Sequence, residues 1–397
     1  MRIAIVVNDN FTVWHFFRGL ISELVSRGCV VFVICPHGDY SERIEKLGAT
    51  HVAVHFERFL DPLADIRTLS QLIRTMWRLR VNLACNITAK PIVFGGMAAR
   101  LAGVPRVIGM IEGLGYGFET AGSWKRRMLR WMIGRLYWIG CRVSDRVGFA
   151  NPDDRALFVS EGILPAEKAV AFRSMIGVNV REYAADAVDA EQVKAVTREL
   201  DLLPGQLLVT MVVARQCWSK GVREFADAAA AIQGRFPDVR FLLVGPPDPK
   251  SPEAVPDTFL RERLGPRFHW ITFSHHVREI LHVSDVVVLP SYYREGVPVV
   301  LLEALAMGKP IVTTDNVGCR ETVDADRNGF LIPVKDSAAL TAALAKLVLD
   351  EQLRARFGRE SRAIAEQHFD QRIVIERLLA MWGIDQYTMG RPHEAHG

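Results

Sequence analysis

Cysteine is scarce and scattered in this chain. The 397 residues contain six (Cys29, Cys35, Cys85, Cys141, Cys217, Cys319), with no C-x-x-C pair among them. That pattern argues against a zinc site and against a disulfide framework, and for reduced, buried thiols. Long uncharged apolar runs are missing as well, so no segment reads as a bilayer span. No secretory leader is expected either: charged and polar residues begin at once, and Arg2-Ile3-Ala4-Ile5-Val6-Val7-Asn8 reads as a first strand. A cytoplasmic protein is expected. No dinucleotide fingerprint follows that strand, where Asn8-Asp9-Asn10 stands. Gly113-x-Gly115-x-Gly117 lacks both the spacing and the acidic residue such a fingerprint needs. This counts against a nicotinamide-dependent oxidoreductase. Nucleic-acid motifs, basic strands interleaved with aromatics, internal repeats and low-complexity segments are also absent, so no nucleic-acid partner is expected.

What is present is a chain long enough for two domains. Short apolar runs alternate with longer helical patterns throughout, which argues for βα units and parallel sheets covered on both faces. Strands are expected at Ile3–Asn8, Val30–Cys35, Val52–Phe56, Leu83–Ile87, Arg106–Ile111 and Arg146–Ala150. Helices such as His15–Arg27, closed by Gly28, and Pro91–Ala102, closed by Gly103, fall between them. The pattern restarts with strands at Leu207–Ala214, Phe241–Val244, Trp270–Phe273, Val286–Leu289, Ile311–Thr313 and Phe330–Ile332. The expected division is 1–175 and 176–370, a last helix at 371–385 and a frayed tail at 386–397. Charge is uneven: residues 1–175 carry 23 Lys and Arg against 15 Asp and Glu, and the remainder 26 against 30. A basic first half suits a phosphorylated acceptor or an anionic membrane face.

The most informative stretch is Glu295-Gly296-Val297-Pro298-Val299-Val300-Leu301-Leu302-Glu303-Ala304-Leu305. Two carboxylates sit eight residues apart, the first at a strand's carboxyl end, the second inside a greasy helix. Pro298 suits the helix's first turn. A carboxylate at position 303 is costly unless something hydrogen-bonds it, and sugar or ribose hydroxyls would do so. Other strand exits carry Val212-Val213-Ala214-Arg215-x4-Lys220-Gly221, Phe241-Leu242-Leu243-Val244-Gly245, Phe273-Ser274-His275-His276-Val277 and Pro310-Ile311-Val312-Thr313-Thr314-Asp315. Arg215 offers a planar fork for phosphate oxygens and Lys220 a point charge. The bland alternative is a pair of solvated cations. Asp324-Ala325-Asp326 has the form of a metal-binding D-x-D but precedes Arg327-Asn328-Gly329, a turn signature.

These elements, in this order, resemble retaining glycosyltransferases of family 4. The Glu295–Glu303 segment matches their Glu-x7-Glu element. The resemblance is specific from Arg215 to Leu331 and looser before Ile176. It implies a GT-B fold, two doubly wound Rossmann-like domains facing a central cleft, with the first binding the acceptor and the last helix crossing back onto it. It implies a nucleotide diphosphate sugar donor, UDP-linked, and metal-independent transfer without a cofactor. Glu295 would contact the donor sugar and Arg215 and Lys220 would neutralise the departing diphosphate. Glu303 would hold the ribose. Gly296, Val297 and Val299 would surround the diphosphate at the helix start, and Gly245, Ser274, His275 and Val277 would line the nucleotide site. A base could stack on His275 or His276, which would equally suit a surface helix start.

In the first half, Phe16-Phe17-Arg18-Gly19-Leu20, Thr88-Ala89-Lys90-Pro91, Ile111-Glu112-Gly113-Leu114-Gly115-Tyr116-Gly117-Phe118 and Phe149-Ala150-Asn151-Pro152 resemble the branch that builds surface polysaccharides and lipid-linked oligosaccharides. Many family members carry a histidine where this chain has Glu112, which becomes the acceptor-side catalytic candidate. Trp124–Arg146 holds seven Lys and Arg, one acid and four large aromatics. It suits peripheral contact with an anionic membrane, or a covering helix with snorkelling arginines. The expected activity is hexosyl or N-acetylhexosaminyl transfer to a glycan or lipid-linked acceptor. A sugar-nucleotide epimerase of the same architecture is the alternative, and a catalytically silent scaffold a further one.

Overall fold

A computed structural model describes residues 1–57, 61–114, 118, 124–263 and 265–384. The glycine-rich stretch 115–117 and the tail beyond 384 lie outside the described residues. The chain divides into two compact units, Met1–Gly177 with Arg372–Gly397, and Val178–Gln371.

The first unit holds seven strands: β1 Arg2–Val6, β2 Val30–Cys35, β3 Thr50–Ala53, β4 Leu83–Ile87, β5 Arg106–Ile111, β6 Arg146–Phe149 and β7 Ala169–Ala171. They pair in parallel in the order β3-β2-β1-β4-β5-β6-β7. Runs such as Val30-Val31-Phe32-Val33-Ile34-Cys35 are almost wholly buried, as a parallel sheet covered on both faces requires. The helices used below are α1 Arg18–Ser26, α2 Pro62–Arg78, α3 Gly96–Leu101 and α4 Trp124–Val143. On one face α1 packs with Val374, Leu378 and Trp382 of the C-terminal helix against Ile3, Ile5 and Val33. On the other, α2 and α3 cover Ala4, Val6, Ala84 and Val107, and α4 covers Val147 and Phe149.

Two helices differ from expectation at their starts. The one expected at His15–Arg27 opens with a π-helical turn, Val13–Phe17, before α1. The one expected at Pro91–Ala102 is a π turn, Pro91–Gly95, followed by α3. Such turns insert a residue into the helical ladder without altering the apolar spacing around it, so periodicity does not reveal them. The edge strand β7 has three residues, too few for an alternation to register.

The second unit holds β8 Leu207–Val212, β9 Val239–Val244, β10 Phe268–Ile271, β11 Val286–Leu289, β12 Ile311–Thr314 and β13 Gly329–Ile332. All pair in parallel, in the order β10-β9-β8-β11-β12-β13. Its helices include α5 Val222–Gln233, α6 Val277–Val283 and α7 Val299–Ala306. In each sheet the chain leaves in one direction, then returns to the middle and builds the other way. The switch falls between β1 and β4, and between β8 and β11. Ligands of open α/β sheets bind at such switch points, beyond the carboxyl ends of the strands.

Candidate active site

The loops leaving β8 and β11 meet at the second switch point. After β8 the chain passes Arg215, makes a turn at Trp218–Lys220 and enters α5 through Gly221. Gly221 has φ 82°, and a β-carbon there would sit 2.2 Å from the Pro290 carbonyl oxygen. Only glycine lets the two loops touch backbone to backbone. The Ser219 carbonyl then accepts from the Tyr292 and Tyr293 amides at 2.8 and 3.0 Å.

This contact delivers Lys220 to Glu295. The ammonium donates to Glu295 Oε1 in an ion pair whose side chains are 15 % and 13 % exposed. Ser291 Oγ lies 3.0 Å from the same oxygen and 3.2 Å from the Ser219 carbonyl. Tyr293 lies beneath both cations: Lys220 Nζ is 5.0 Å and the Arg215 guanidinium 5.9 Å from its ring centroid. Arg215 is 41 % exposed and lies 3.5 Å from Asp248 Oδ2. The electron-rich ring face attracts both cations and holds them side by side.

The loop carrying Glu295 is pinned from its other side. Gly318, at φ 80°, would place a β-carbon 1.8 Å from the Gly296 carbonyl oxygen. Asn316 Nδ2 donates to the Tyr293 carbonyl at 2.8 Å, and Thr314 Oγ1 donates to the Ser291 carbonyl. Gly296 and Val297 then lead into α7. The sequence placed Pro298 in the first helical turn; it is instead the N-cap, and the helix starts at Val299. The reason is local: Pro298 is extended, at ψ 118°. No side chain caps α7, so its leading amides and positive dipole end face the loop.

Glu303 lies one turn into α7, where its Oε1 accepts from the Tyr183 hydroxyl at 2.6 Å. A phenol thus takes part of the hydrogen bonding that the sequence assigned to sugar hydroxyls. The Gly245 carbonyl is engaged within the unit, accepting from Gln216 Nε2 at 2.8 Å and Trp270 Nε1 at 3.1 Å. Ser274, His275 and Val277 sit at the exit of β10, the edge strand. Ser274 Oγ accepts from the His276 amide at 3.0 Å, exposed His275 meets Phe273 edge-on at 4.7 Å, and Val277 opens α6. The structure therefore brings Arg215, Lys220 and Glu295 around Tyr293 and places the 274–277 loop two strands away from β8. Tyr183, Ser291 and Tyr293 were missed by sequence reasoning. Only the position of the last two, just before Glu295, marks them.

Glu112 belongs to the first unit, immediately after β5. Its carboxyl is pushed up to about 7, first by burial and then by the charge of Asp9, and among the described residues its Oε1 has no hydrogen-bond partner. Asp9 follows β1 and caps the next turn, accepting from the Thr12 amide at 2.7 Å. Asp324 and Asp326 form a turn rather than a ligand pair: Asp326 has φ 59° and Asp324 faces Arg327 at 3.3 Å. Among the described residues no three His, Cys, Asp or Glu side chains gather where a metal ion could sit.

A family model described as glycosyl transferases group 1 matches residues 208–350, and one described as a glycosyl transferase 4-like domain matches residues 12–173. The chain belongs to the group 1, family 4-like glycosyltransferases. This glycosyltransferase is 27 % identical to the N,N'-diacetylbacillosaminyl-diphospho-undecaprenol alpha-1,3-N-acetylgalactosaminyltransferase of Campylobacter jejuni, over 96 % of its own length and 98 % of that protein's. It is 24 % identical to the capsular polysaccharide biosynthesis glycosyltransferase CapM of Staphylococcus aureus, over 92 % of each chain. Among solved structures it superposes on a Rickettsia africae glycosyltransferase with TM-score 0.79 at 14 % identity, covering 96 % and 97 % of the two chains. Anabaena Alr3699/HepE in complex with UDP and glucose gives 0.77 at 18 % identity, covering 96 % and 99 %. These likenesses show the GT-B fold. No helix among the described residues is long and apolar enough to cross a membrane.

Proposed function

We propose that this glycosyltransferase moves a hexosyl or N-acetylhexosaminyl group, with retention, from a UDP-linked sugar to a hydroxyl of a lipid-linked sugar in surface polysaccharide synthesis. The observation that carries the reading is the Lys220–Glu295 pair at the β8/β11 switch point, beside Arg215 and the uncapped start of α7. It gathers two cations and a helix dipole where a diphosphate leaving group would need them. The near full-length likeness to the Campylobacter transferase supports the lipid-linked acceptor.

In this reading the bond between the sugar's anomeric carbon and the phosphate oxygen breaks as the acceptor oxygen attacks from the same face. Lys220 has three donors, enough to keep Glu295 and reach a phosphate oxygen. Arg215 grips a second, and the backbone of Gly296, Val297 and Val299 offers amides. Positive charge from these groups makes a divalent ion and a cofactor unnecessary. Glu295 orients the donor sugar, Glu303 holds the ribose, and Gly245, Ser274, His275 and Val277 frame the base. The acceptor proton passes to the departing phosphate or to Glu112, whose raised pKa suits a proton acceptor near neutral pH. The exposed aromatic and basic face of α4, within Trp124–Arg146, contacts the anionic inner face of the cell membrane.

The test is transfer from a panel of UDP- and GDP-sugars to a short-chain lipid-linked acceptor, with and without EDTA. The reading expects UDP-sugar transfer that survives EDTA, with the anomeric configuration kept. Epimerised donor in the absence of acceptor, or transfer that needs a divalent ion, would overturn it.

A further inference from the structure

Helices that return along a parallel sheet begin at the carboxyl edge of its strands. In the first unit, α2 and α4 therefore start on the edge where Glu112 stands. A part-buried ion pair fixes this for α2: Lys90, three residues past β4, meets Asp65 in the first turn of α2 at 2.6 Å. The helices α2, α3 and α4 pack side by side over one face of the sheet, so α2 and α4 turn their outer faces to the same side.

Both outer faces have the same composition. On α2, residues Leu63, Ile66, Arg67, Arg74, Trp77 and Arg78 fall on one helical face and are exposed, Leu63 by 71 %. On α4 the exposed stripe is Trp124, Arg127, Met128, Trp131, Arg135 and Arg142, with Trp131 61 % exposed. Three of the arginines of α4, Arg127, Arg135 and Arg142, thus share one face with Trp124 and Trp131, while Arg130 turns aside to pair with Glu161. On α4 the apolar members concentrate toward the start, at the edge that carries Glu112; on α2 Leu63 and Ile66 stand at that edge and Trp77 at the far end. The only acid from Leu63 to Arg78 is Asp65, which is buried, and α4 has none.

We infer that α2 and α4 together form a two-helix contact with an anionic bilayer, presenting the Glu112 edge of the first sheet to the headgroups. The inference rests on the lipid-linked acceptor proposed above and adds a second contact helix and an orientation. Three features favour a bilayer. Tryptophans belong at the headgroup level. Arginines lie over them, Arg135 5.4 Å from the Trp131 ring centroid and Arg142 4.8 Å from that of Trp138, as snorkelling cations do. A two-fold dimer through this face would set arginine stripe against arginine stripe. A tethered acceptor sugar would then meet the protein where Glu112 waits.

The experiment is sedimentation with phosphatidylcholine vesicles containing phosphatidylglycerol at roughly one lipid in three, at low salt. Wild-type protein, Leu63→Glu/Ile66→Glu, Trp131→Glu and Arg74→Gln/Arg78→Gln are compared, and transfer to a water-soluble short-chain acceptor is followed in parallel. Each arginine removed should weaken vesicle binding about fivefold. The glutamate variants on either helix should weaken it at least as much, and transfer to the soluble acceptor should not change. Unchanged vesicle binding in both α2 variants overturns the inference, as does wild-type protein that ignores the anionic vesicles or buries this face in a dimer. Vesicle binding as expected, with no transfer to any acceptor, would instead overturn the proposed function and leave the surface standing.

Discussion

Separating Lys220 from Glu295 is the most direct perturbation of the candidate site. At contact distance two unit charges attract by roughly 1 kcal/mol in water and roughly 4 kcal/mol at the dielectric of a protein surface layer. With side chains 15 % and 13 % exposed, the pair belongs nearer the second limit. Part of that is offset by desolvation, leaving a coupling of about 2 kcal/mol. Glu295→Ala strands an ammonium over Tyr293, and Lys220→Met strands a carboxylate beside Ser291. Each single variant should lose about 2–3 kcal/mol, or roughly 4–12 °C in Tm for a domain of this size. The double variant should lose clearly less than the sum. Calorimetry with UDP and the transfer assay separate the roles. On the role proposed for it at the donor sugar, Glu295→Ala should mainly lower turnover and leave UDP binding in place. Lys220→Met should weaken UDP binding and lower turnover together. Additive stability losses within about 0.5 kcal/mol would refute the coupling. Full transfer in either single variant would refute the assignment of the site.

Glu112 titrates up to about 7 in the folded protein against an ordinary 4.5. Between those values the folded state holds more proton than the unfolded one, so stability falls as pH rises from about 4.5 to 7. The loss should be about 3 kcal/mol at most, and Glu112→Gln should flatten that slope in urea melts across this window. Gly318→Ala would drive a β-carbon into the Gly296 carbonyl, 1.8 Å away. It should cost about 3 kcal/mol or more and abolish transfer, whereas a change at the exposed, uncrowded Gly265 should do neither. Tyr183→Phe removes the hydroxyl from Glu303 and should cost about 1–2 kcal/mol by thermal unfolding. Glu303→Ala should raise the UDP dissociation constant about 10- to 100-fold in calorimetry, as loss of a charged hydrogen bond to ribose predicts.

The class of fold and of chemistry was legible in local pattern. Short, fully apolar strands between amphipathic helices leave a parallel, doubly covered sheet as the arrangement that hides both faces. Arg215, Lys220 and the Glu295–Glu303 segment stand at strand exits, where the chain is free to carry reactive groups instead of packing residues. Their order resembles that of family 4 glycosyltransferases, and that resemblance marked the chemistry before any contact was known.

Which exits face one another was not legible, because strand order is a tertiary property. Lys220 and Glu295 are 75 residues apart, and Tyr183 and Glu303 are 120 apart. The first pair meets because β8 lies beside β11 and because Gly221 and Gly318 let three loops touch backbone to backbone. A one-dimensional pattern records period and burial but not adjacency. For the same reason the sequence did not show which arginines of α4 stand on its outer face: packing against the sheet decides which side of a helix is outside. The sequence by itself determined what kinds of element form and which side chains could do chemistry. Only the tertiary structure decided which of them share a place, since that depends on loops whose approach is set by sterics far along the chain.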